Sequence, residues 1–519
     1  MTTPAPASKS DEGLAFGTPV ARWVLAATVL GSGMAFIDAT VVNVALPSIG
    51  ESLNAGLSGL AWTINAYTLS LASLILLGGS LGDRLGRRRV FIVGVIWFAV
   101  ASLLCGIAPN IEFLIAARVL QGIGGALLTP GSLAILQSSF RASDRARAIG
   151  AWSGLAGVAG AAGPFLGGWL VQVASWRWVF LINLPFAVAV VLVAVRHVPE
   201  SRDPNASKSI DVAGAALCAL GLGAVTYGLI TAQNDGIGAP EVVVALVLSV
   251  VALIGFVVRE RVAKDPMLPL AIFSSPLFRA TNLVTFAVYA AIGGVFFWLV
   301  LNLQVVAGYS PLAAGLSLFP VTALMLVLSS RMGALSQRIG PRVPMTAGPL
   351  ICAVGTAGMT RIGPGASYFV DVFPSVALFG FGLSVTVAPL TATVLAAAPE
   401  RHSGLASGVN NAVARVAGLL AVAVLPLIAG LSGEAYTNPA LMAPAYETAM
   451  WACAVLLAAG GILAVALVRR PTPEAALARP PREAEHWSCG IDGPPLEGCP
   501  HDGALTPSLG LPSQRAESG

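Results

Sequence analysis

Three charged side chains interrupt long apolar runs in this chain: Asp38, Arg118 and Arg415. A charge at the centre of a membrane-crossing helix costs ~2.5–3.5 kcal/mol on insertion scales, so each should face a cavity or a partner. Asp38 stands sixteen residues beyond Arg22, about 24 Å along a helix. Arg118 follows Glu112 by six residues and so enters from the opposite side to a depth of about 9 Å. The two therefore lie at comparable height. Burial favours the neutral form of a carboxyl group and a neighbouring guanidinium favours the charged one. Substrate or water moving between them would switch the proton occupancy of Asp38, the minimum equipment for proton coupling; a static ion pair is the plainer alternative. Arg415 follows Asn410 and Asn411, about 18 Å from a helix start near Ser403. No acid of the second half lies at its depth, leaving substrate, backbone carbonyls or Asp38 as its expected contacts.

The elements that must position these residues are announced by a repeat. Residues 79–88 read Gly-Ser-Leu-Gly-Asp-Arg-Leu-Gly-Arg-Arg, and residues 333–342 read Gly-Ala-Leu-Ser-Gln-Arg-Ile-Gly-Pro-Arg. At an offset of 254, Gly79 falls on Gly333, Arg84 on Arg338, Gly86 on Gly340 and Arg88 on Arg342, while Asp83 becomes Gln337. A short basic turn occurring once per half is what parallel internal repeats of a membrane carrier produce.

Composition agrees. Hydrophobic residues make up 56% and charged residues 10%, against about 25% charged in soluble domains. The net charge of +4 is dispersed over short loops, which excludes nucleic acid as a partner. Apolar stretches able to cross ~30 Å of hydrocarbon recur along the chain. They are expected near 23–46, 60–81, 90–108, 113–137, 148–173, 178–195, 212–230, 242–258, 283–306, 313–332, 343–362, 369–397, 404–429 and 446–468. Fourteen spans result. Basic loops carrying Arg84, Arg87, Arg88, Arg89, Arg141, Arg145, Arg147, Arg259, Arg261 and Arg338 fall on one side, with only Arg177 and Arg361 on the other. The positive-inside rule makes the basic side cytoplasmic, together with both termini. An offset of 254 exceeds the roughly 200 residues of a six-plus-six carrier, leaving room for two additional helices between the halves. The expected fold is an all-α integral membrane protein: a leader (1–22), a six-helix bundle (23–197), two extra helices with linkers (198–265), a second six-helix bundle (266–468) and a disordered cytoplasmic tail (469–519).

Five motifs together resemble the major facilitator superfamily, and within it the drug:proton antiporters with fourteen spans. The hairpin at 79–88 is similar to that family's loop signature between helices two and three. Arg118-Val-Leu-Gln-Gly-Ile-Gly-Gly125 resembles the arginine motif of helix four. Gly163-Pro164-Phe165-Leu166-Gly167-Gly168 resembles the helix-five motif of antiporters. Asp38-Ala-Thr-Val-Val-Asn43-Val-Ala-Leu-Pro47 and Trp176-Arg-Trp-Val-Phe-Leu-Ile-Asn183-Leu-Pro185 look like signatures of the fourteen-span branch. The resemblance implies that helices one and four line a central cavity, so that Asp38 and Arg118 approach each other, with Asn43 and Asn411 nearby. It implies that Asp83 latches the cytoplasmic face against the helix that starts near Ser403, within a gate loop formed by Gly79, Arg84, Gly86, Arg87 and Arg88. It implies too that the glycines and Pro164 of helix five form a bendable, close-packed moving interface.

Other classes lack equipment. There is no G-x-x-x-x-G-K-[ST] loop for nucleotide, and neither H-E-x-x-H nor G-x-S-x-G for hydrolysis. Cys105, Cys218, Cys352 and Cys453 lie singly in apolar segments, and the tail residues His486, Cys489, Cys499 and His501 match no familiar zinc spacing. No cofactor and no metal are expected. The sequence points to a monomeric, proton-coupled exporter of amphipathic, drug-like small molecules in the cytoplasmic membrane, with Trp62, Tyr67, Tyr289, Phe296, Phe297 and Trp298 as candidate cavity aromatics. The alternative is proton-coupled uptake, or metabolite transport, on the same fold.

Overall fold

A computed structural model describes residues 13–202, 211–263, 266–397, 403–433 and 435–468. Among these the chain is helical throughout, with one isolated bridge between Leu14 and Phe140 in place of any sheet. Helices answer the lipid environment because each satisfies its backbone polar groups internally. The first set comprises α1 (Pro19–Leu53), α2 (Leu57–Leu85), α3 (Arg87–Gly106), α4 (Ile111–Ser139), α5 (Ala142–Val173), α6 (Trp178–Leu181) and α7 (Asn183–His197). Then follow α8 (Val212–Asp235) and α9 (Pro240–Val262). The second set comprises α10 (Pro276–Val305), α11 (Pro311–Ser317), α12 (Phe319–Ile339), α13 (Arg342–Met359), α14 (Phe373–Ala396), α15 (Ser403–Ala429) and α16 (Pro439–Leu467).

Local chemistry sets the starts of these helices. Asn110 accepts the Phe113 amide at 2.9 Å and Asp211 the Gly214 amide at 2.9 Å, each satisfying a donor of the first turn. Proline occupies an opening position in α1, α9, α10, α11 and α16, where its missing N–H is no loss.

Among the described residues, twelve helices are long and apolar enough to cross a membrane. The expected eleventh span, α13, is not among them, because Arg342, prolines, threonines and glycines dilute its apolarity; of the expected fifth, α5, the stretch Val158–Val173 counts as a shorter apolar helix. The expected sixth and tenth spans are each broken near one end, at Ile182 and at Leu318. Large apolar side chains such as Val244, Val251, Ile254, Leu192, Val354 and Val455 are exposed in a belt that water would not tolerate on this scale.

The two sets share one pattern of neighbours. In the first, α4 packs on α2 and α3, α1 on α5 and α7, and α3 on α7; in the second, α14 packs on α12 and α13, α10 on α15 and α16, and α13 on α16. The 254-residue offset seen in the sequence is thus a repeat of packing. Gly86 and Gly340, its equivalents, both close their interhelical turns at positive φ, +114° and +86°, a conformation glycine adopts without penalty. α8 and α9 pack on each other, and α8 bridges α2 of the first set and α15 of the second.

The sets meet on the side away from the hairpin at 79–88. There Gln304 Nε2 donates to Val44 O at 3.0 Å, Tyr436 Oη to Ala55 O at 2.8 Å and Leu57 N to Gly433 O at 2.8 Å.

Candidate functional site

Asp38 and Arg118 meet. Arg118 Nη1 lies 2.5 Å from Asp38 Oδ2, and both residues are fully buried. α1 brings the carboxylate and α4 the guanidinium, so the matched depths estimated from helical rise correspond to a contact. Gln121, one turn along α4, donates from Nε2 to Asp38 Oδ1 at 2.8 Å and to Ser102 Oγ at 2.8 Å. Its Oε1 accepts from Arg118 Nη1 at 2.7 Å and from Cys105 Sγ at 3.6 Å. Asn183 donates to Asp38 Oδ1 at 3.5 Å and to Ser102 Oγ at 3.2 Å. Arg118 Nε donates to Thr63 O at 2.9 Å, and its guanidinium lies 4.4 Å from the Tyr67 ring centre and 5.6 Å from that of Phe180.

Both Asp38 oxygens are therefore satisfied, by a cation and by two neutral amides. That offsets the desolvation that would otherwise expel a buried pair. The arrangement is chemically asymmetric. Protonating Asp38 removes the charge that holds Arg118 and leaves the guanidinium on Gln121, Thr63 and the Tyr67 face.

Gln121 and Asn183 were not singled out from the sequence, although both lie inside motifs that were: Gln121 three residues after Arg118, Asn183 in the Trp176–Pro185 run. Ser102 and the Thr63 carbonyl carry no such signal, since neither a lone serine nor a backbone oxygen stands out in an apolar helix.

The remaining candidates are placed separately. Asn43 turns back along α1, donating to Ala39 O at 3.1 Å. Arg415 donates from Nε to Asn411 Oδ1 at 3.1 Å, one turn earlier on α15; among the described residues it has no acidic partner, so it does not join Asp38. Asn410 donates to Asn282 Oδ1 at 3.2 Å and Thr285 Oγ1 at 2.8 Å, tying α15 to α10. Of the candidate aromatics, Phe297 and Trp298 are fully buried in the helix core, whereas Trp62, Tyr289 and Phe296 remain partly exposed.

In the hairpin, Asp83 Oδ1 pairs with Arg87, at 2.9 Å from Nε and 2.8 Å from Nη2. Arg84 stands in the last turn of α2, and Gly79 faces Pro130 of α4. Arg88 Nη1 donates to Val198 O at 3.1 Å, and its amide to Glu200 Oε1 at 3.1 Å. The hairpin is thus stapled to the segment after α7. The latch amides expected near Ser403 and Gly404 belong to the start of α15; residues 398–402 just before it lie outside the described residues, as do the tail residues His486, Cys489, Cys499 and His501.

The helix-five motif divides its labour. Gly163 and Gly167 face α1: a methyl group on Gly163 would strike Thr40 Oγ1, and one on Gly167 would lie 2.9 Å from Val41 O. This is a contact inside the first set rather than between the two. Gly168 instead faces α11, where an added methyl would lie 2.7 Å from Leu312 Cα, and Gly315 of α11 approaches the Pro164 carbonyl, 2.8 Å from its carbon by the same measure. Pro164 and Gly168 therefore sit at the seam between the sets, with Gly163 and Gly167 behind them.

A helical membrane bundle with repeated halves and a buried charge network fits a transporter of small molecules. The sequence profile of the Major Facilitator Superfamily matches residues 28–422, and the chain belongs to that family. It is similar to the tetracenomycin C resistance and export protein of Streptomyces glaucescens, 36% identical over 80% of this chain and 77% of that protein. The cephamycin export protein CmcT of Amycolatopsis lactamdurans is 34% identical over 93% of this chain and 98% of its own length. Among solved structures, an auto-inhibited peptide transporter of the POT family shares the fold at a TM-score of 0.64 and 16% identity, over 88% of this chain and 97% of that one.

Proposed function

We propose that this protein exports amphipathic, drug-like compounds or antibiotics across the bacterial cytoplasmic membrane in exchange for protons, by alternating access, as a monomer with both termini cytoplasmic. The observation that carries the proposal is the buried Asp38–Arg118–Gln121 network. Two relatives named as exporters support the outward direction. In this reading α5 and α13 complete fourteen spans, the two neighbour-sharing sets are six-helix bundles, and α8 and α9 are the two central additions. Asp38 exchanges its proton when substrate or water reaches the network. Arg415 and Asn411 line the opposing wall of the substrate path, beside Tyr289. The contacts between the sets on the side away from the hairpin form the closed outer gate, and the hairpin belongs to the inner gate.

The test is substrate-driven proton movement in proteoliposomes. Wild type should release protons when substrate is offered and Asp38→Asn, similar in size and permanently neutral, should not, while still inserting. Exchange at the wild-type rate by Asp38→Asn would place the coupling group elsewhere. Flux direction in sealed vesicles separates export from uptake.

A further inference from the structure

Two more carboxylates are buried far from Asp38, at the hairpin-side end of α8 and α9. Asp211 caps α8, its Oδ1 accepting from the Gly214 amide at 2.9 Å and from Arg259 Nε at 3.0 Å. Glu260, in the last turn of α9, accepts the Leu268 amide on Oε2 at 3.0 Å. The residues are 4% and 3% exposed. The other oxygen of each, Asp211 Oδ2 and Glu260 Oε1, is buried with no donor among the described residues. Both aim at one spot: a methyl group on Gly214 would lie 2.8 Å from Asp211 Oδ2 and 2.9 Å from Glu260 Oε1.

Ionised carboxylates only accept hydrogen bonds, so two facing oxygens cannot satisfy each other unless a positive charge or a proton stands between them. Among the described residues two negative charges meet one arginine, and Arg259 is itself 46% exposed. The site thus keeps one excess buried charge, which is costly. A calcium ion would want about six to eight oxygen ligands, and among the described residues no group of three or more acidic, histidine or cysteine side chains assembles here. A proton needs only the two oxygens present.

We propose that Asp211 and Glu260 share one proton, carried on Glu260 Oε1 and donated to Asp211 Oδ2, directly or through one water. The two extra helices thereby hold a proton-binding site separate from Asp38. One proton takes the pair from two negative charges to one, and Arg259 offsets the other; adjacent carboxyls retain a proton in this way because both cannot ionise cheaply. The charges acting on Glu260 are Asp211 of α8 and Arg259 of its own helix. Cys218, further along α8, feels Glu260 in turn. Arg261 is exposed. From the other helices against α8, the ends of α2 and the middle of α15 bring Asp83, Arg84 and Arg415, none of which is among the charges acting on Glu260. The site has a mechanical consequence. Glu260 holds the linker into α10 through Leu268, and Asp211 starts α8, so loss of the shared proton drives the two carboxylates apart and loosens the connection between the two helix sets.

The experiment is an infrared difference titration of the full chain in lipid, with melting followed over the same pH series. Wild type should show a protonated-carboxyl C=O band that shifts in D2O and disappears on going alkaline. The band should be absent in Glu260→Gln and retained in Asp38→Asn, which separates this site from the proposed coupling carboxylate. The glutamine amide can donate to Asp211 Oδ2 in place of the proton, so Glu260→Gln should fold and its melting temperature should vary less with pH than that of wild type. A band that survives in Glu260→Gln, or that only Asp38→Asn removes, overturns the proposal. So does a melting profile that falls in parallel for wild type and Glu260→Gln, or a stabilisation of wild type by divalent cations that Glu260→Gln abolishes.

Discussion

The Thr40 hydroxyl on α1 lies 2.9 Å from the Gly160 carbonyl on α5, the nearest of three acceptors for its one proton, the others being Ile37 O at 3.0 Å and Phe36 O at 3.1 Å on its own helix. Gly160 lies four residues before Pro164, which has no N–H to return to it. The hydroxyl therefore satisfies the carbonyl that the proline orphans, and it does so two residues from Asp38. One side chain links the bend in α5 to the helix that carries the buried carboxylate.

That link is measurable as a coupling. Thr40→Val should destabilise the protein by about 0.5–1.5 kcal/mol, the ordinary net worth of a part-buried hydrogen bond. Pro164→Ala supplies the missing amide, so Thr40→Val should cost much less in a Pro164→Ala background. A double-mutant cycle on thermal stability reads the difference, and additive effects would show that the hydroxyl serves only its own helix.

Gln121 is the residue whose removal should discriminate a network from a simple pair. Gln121→Leu leaves Arg118 and Asp38 in contact but strips Asp38 Oδ1 of its 2.8 Å donor. The expected outcome is a transport rate reduced by about tenfold or more, consistent with about 1–3 kcal/mol for a buried hydrogen bond left unmade, with expression in the membrane unchanged. Transport at the wild-type rate would reduce Gln121 to packing.

The division within the helix-five motif gives opposite expectations for two glycines. Gly168→Leu intrudes on Leu312 of α11 and should wedge the seam between the helix sets. A cysteine placed at Ala55 should then label faster from the side away from the hairpin. Gly163→Leu intrudes on Thr40 instead, and should abolish transport without raising that labelling, because it displaces α1 inside its own set. Equal labelling in the two variants would contradict the assignment.

Asp83→Asn should cost only about 0.3–0.5 kcal/mol of stability, the ordinary worth of an exposed i,i+4 pair with Arg87. A large loss of transport with so small a change in melting, and faster labelling of a cysteine at Gly408 from the hairpin side, would assign Asp83 to a gate. Small changes in both would leave it as one arm of a local salt bridge.

Much of this molecule is written along the chain. Lipid solvation permits few solutions, so long apolar runs become helices wherever the backbone must bond to itself. The repeated turns at Gly86 and Gly340 need positive φ, and glycine at a fixed offset announces them. The matched depth of Asp38 and Arg118 could be anticipated because helical rise is constant, and their approach because the family resemblance places helices one and four on one cavity.

Tertiary packing decided what periodicity cannot encode. Which face of α5 meets α1 and which meets α11 depends on how the two helix sets are rotated, so Gly163 and Gly168, five residues apart, serve different interfaces. Gln121 and Asn183 became ligands of Asp38 only once α3, α4 and α7 closed around it. Arg415, alike in sequence to Arg118 as a lone buried cation, found Asn411 on its own helix instead of an acid. Asp211 and Glu260 are separated by most of two helices and look like ordinary helix-end charges. Only the antiparallel pairing of α8 with α9 brings a free oxygen of each within 3 Å of one point beside Gly214, because proximity across helices is set by their packing and not by spacing along the chain.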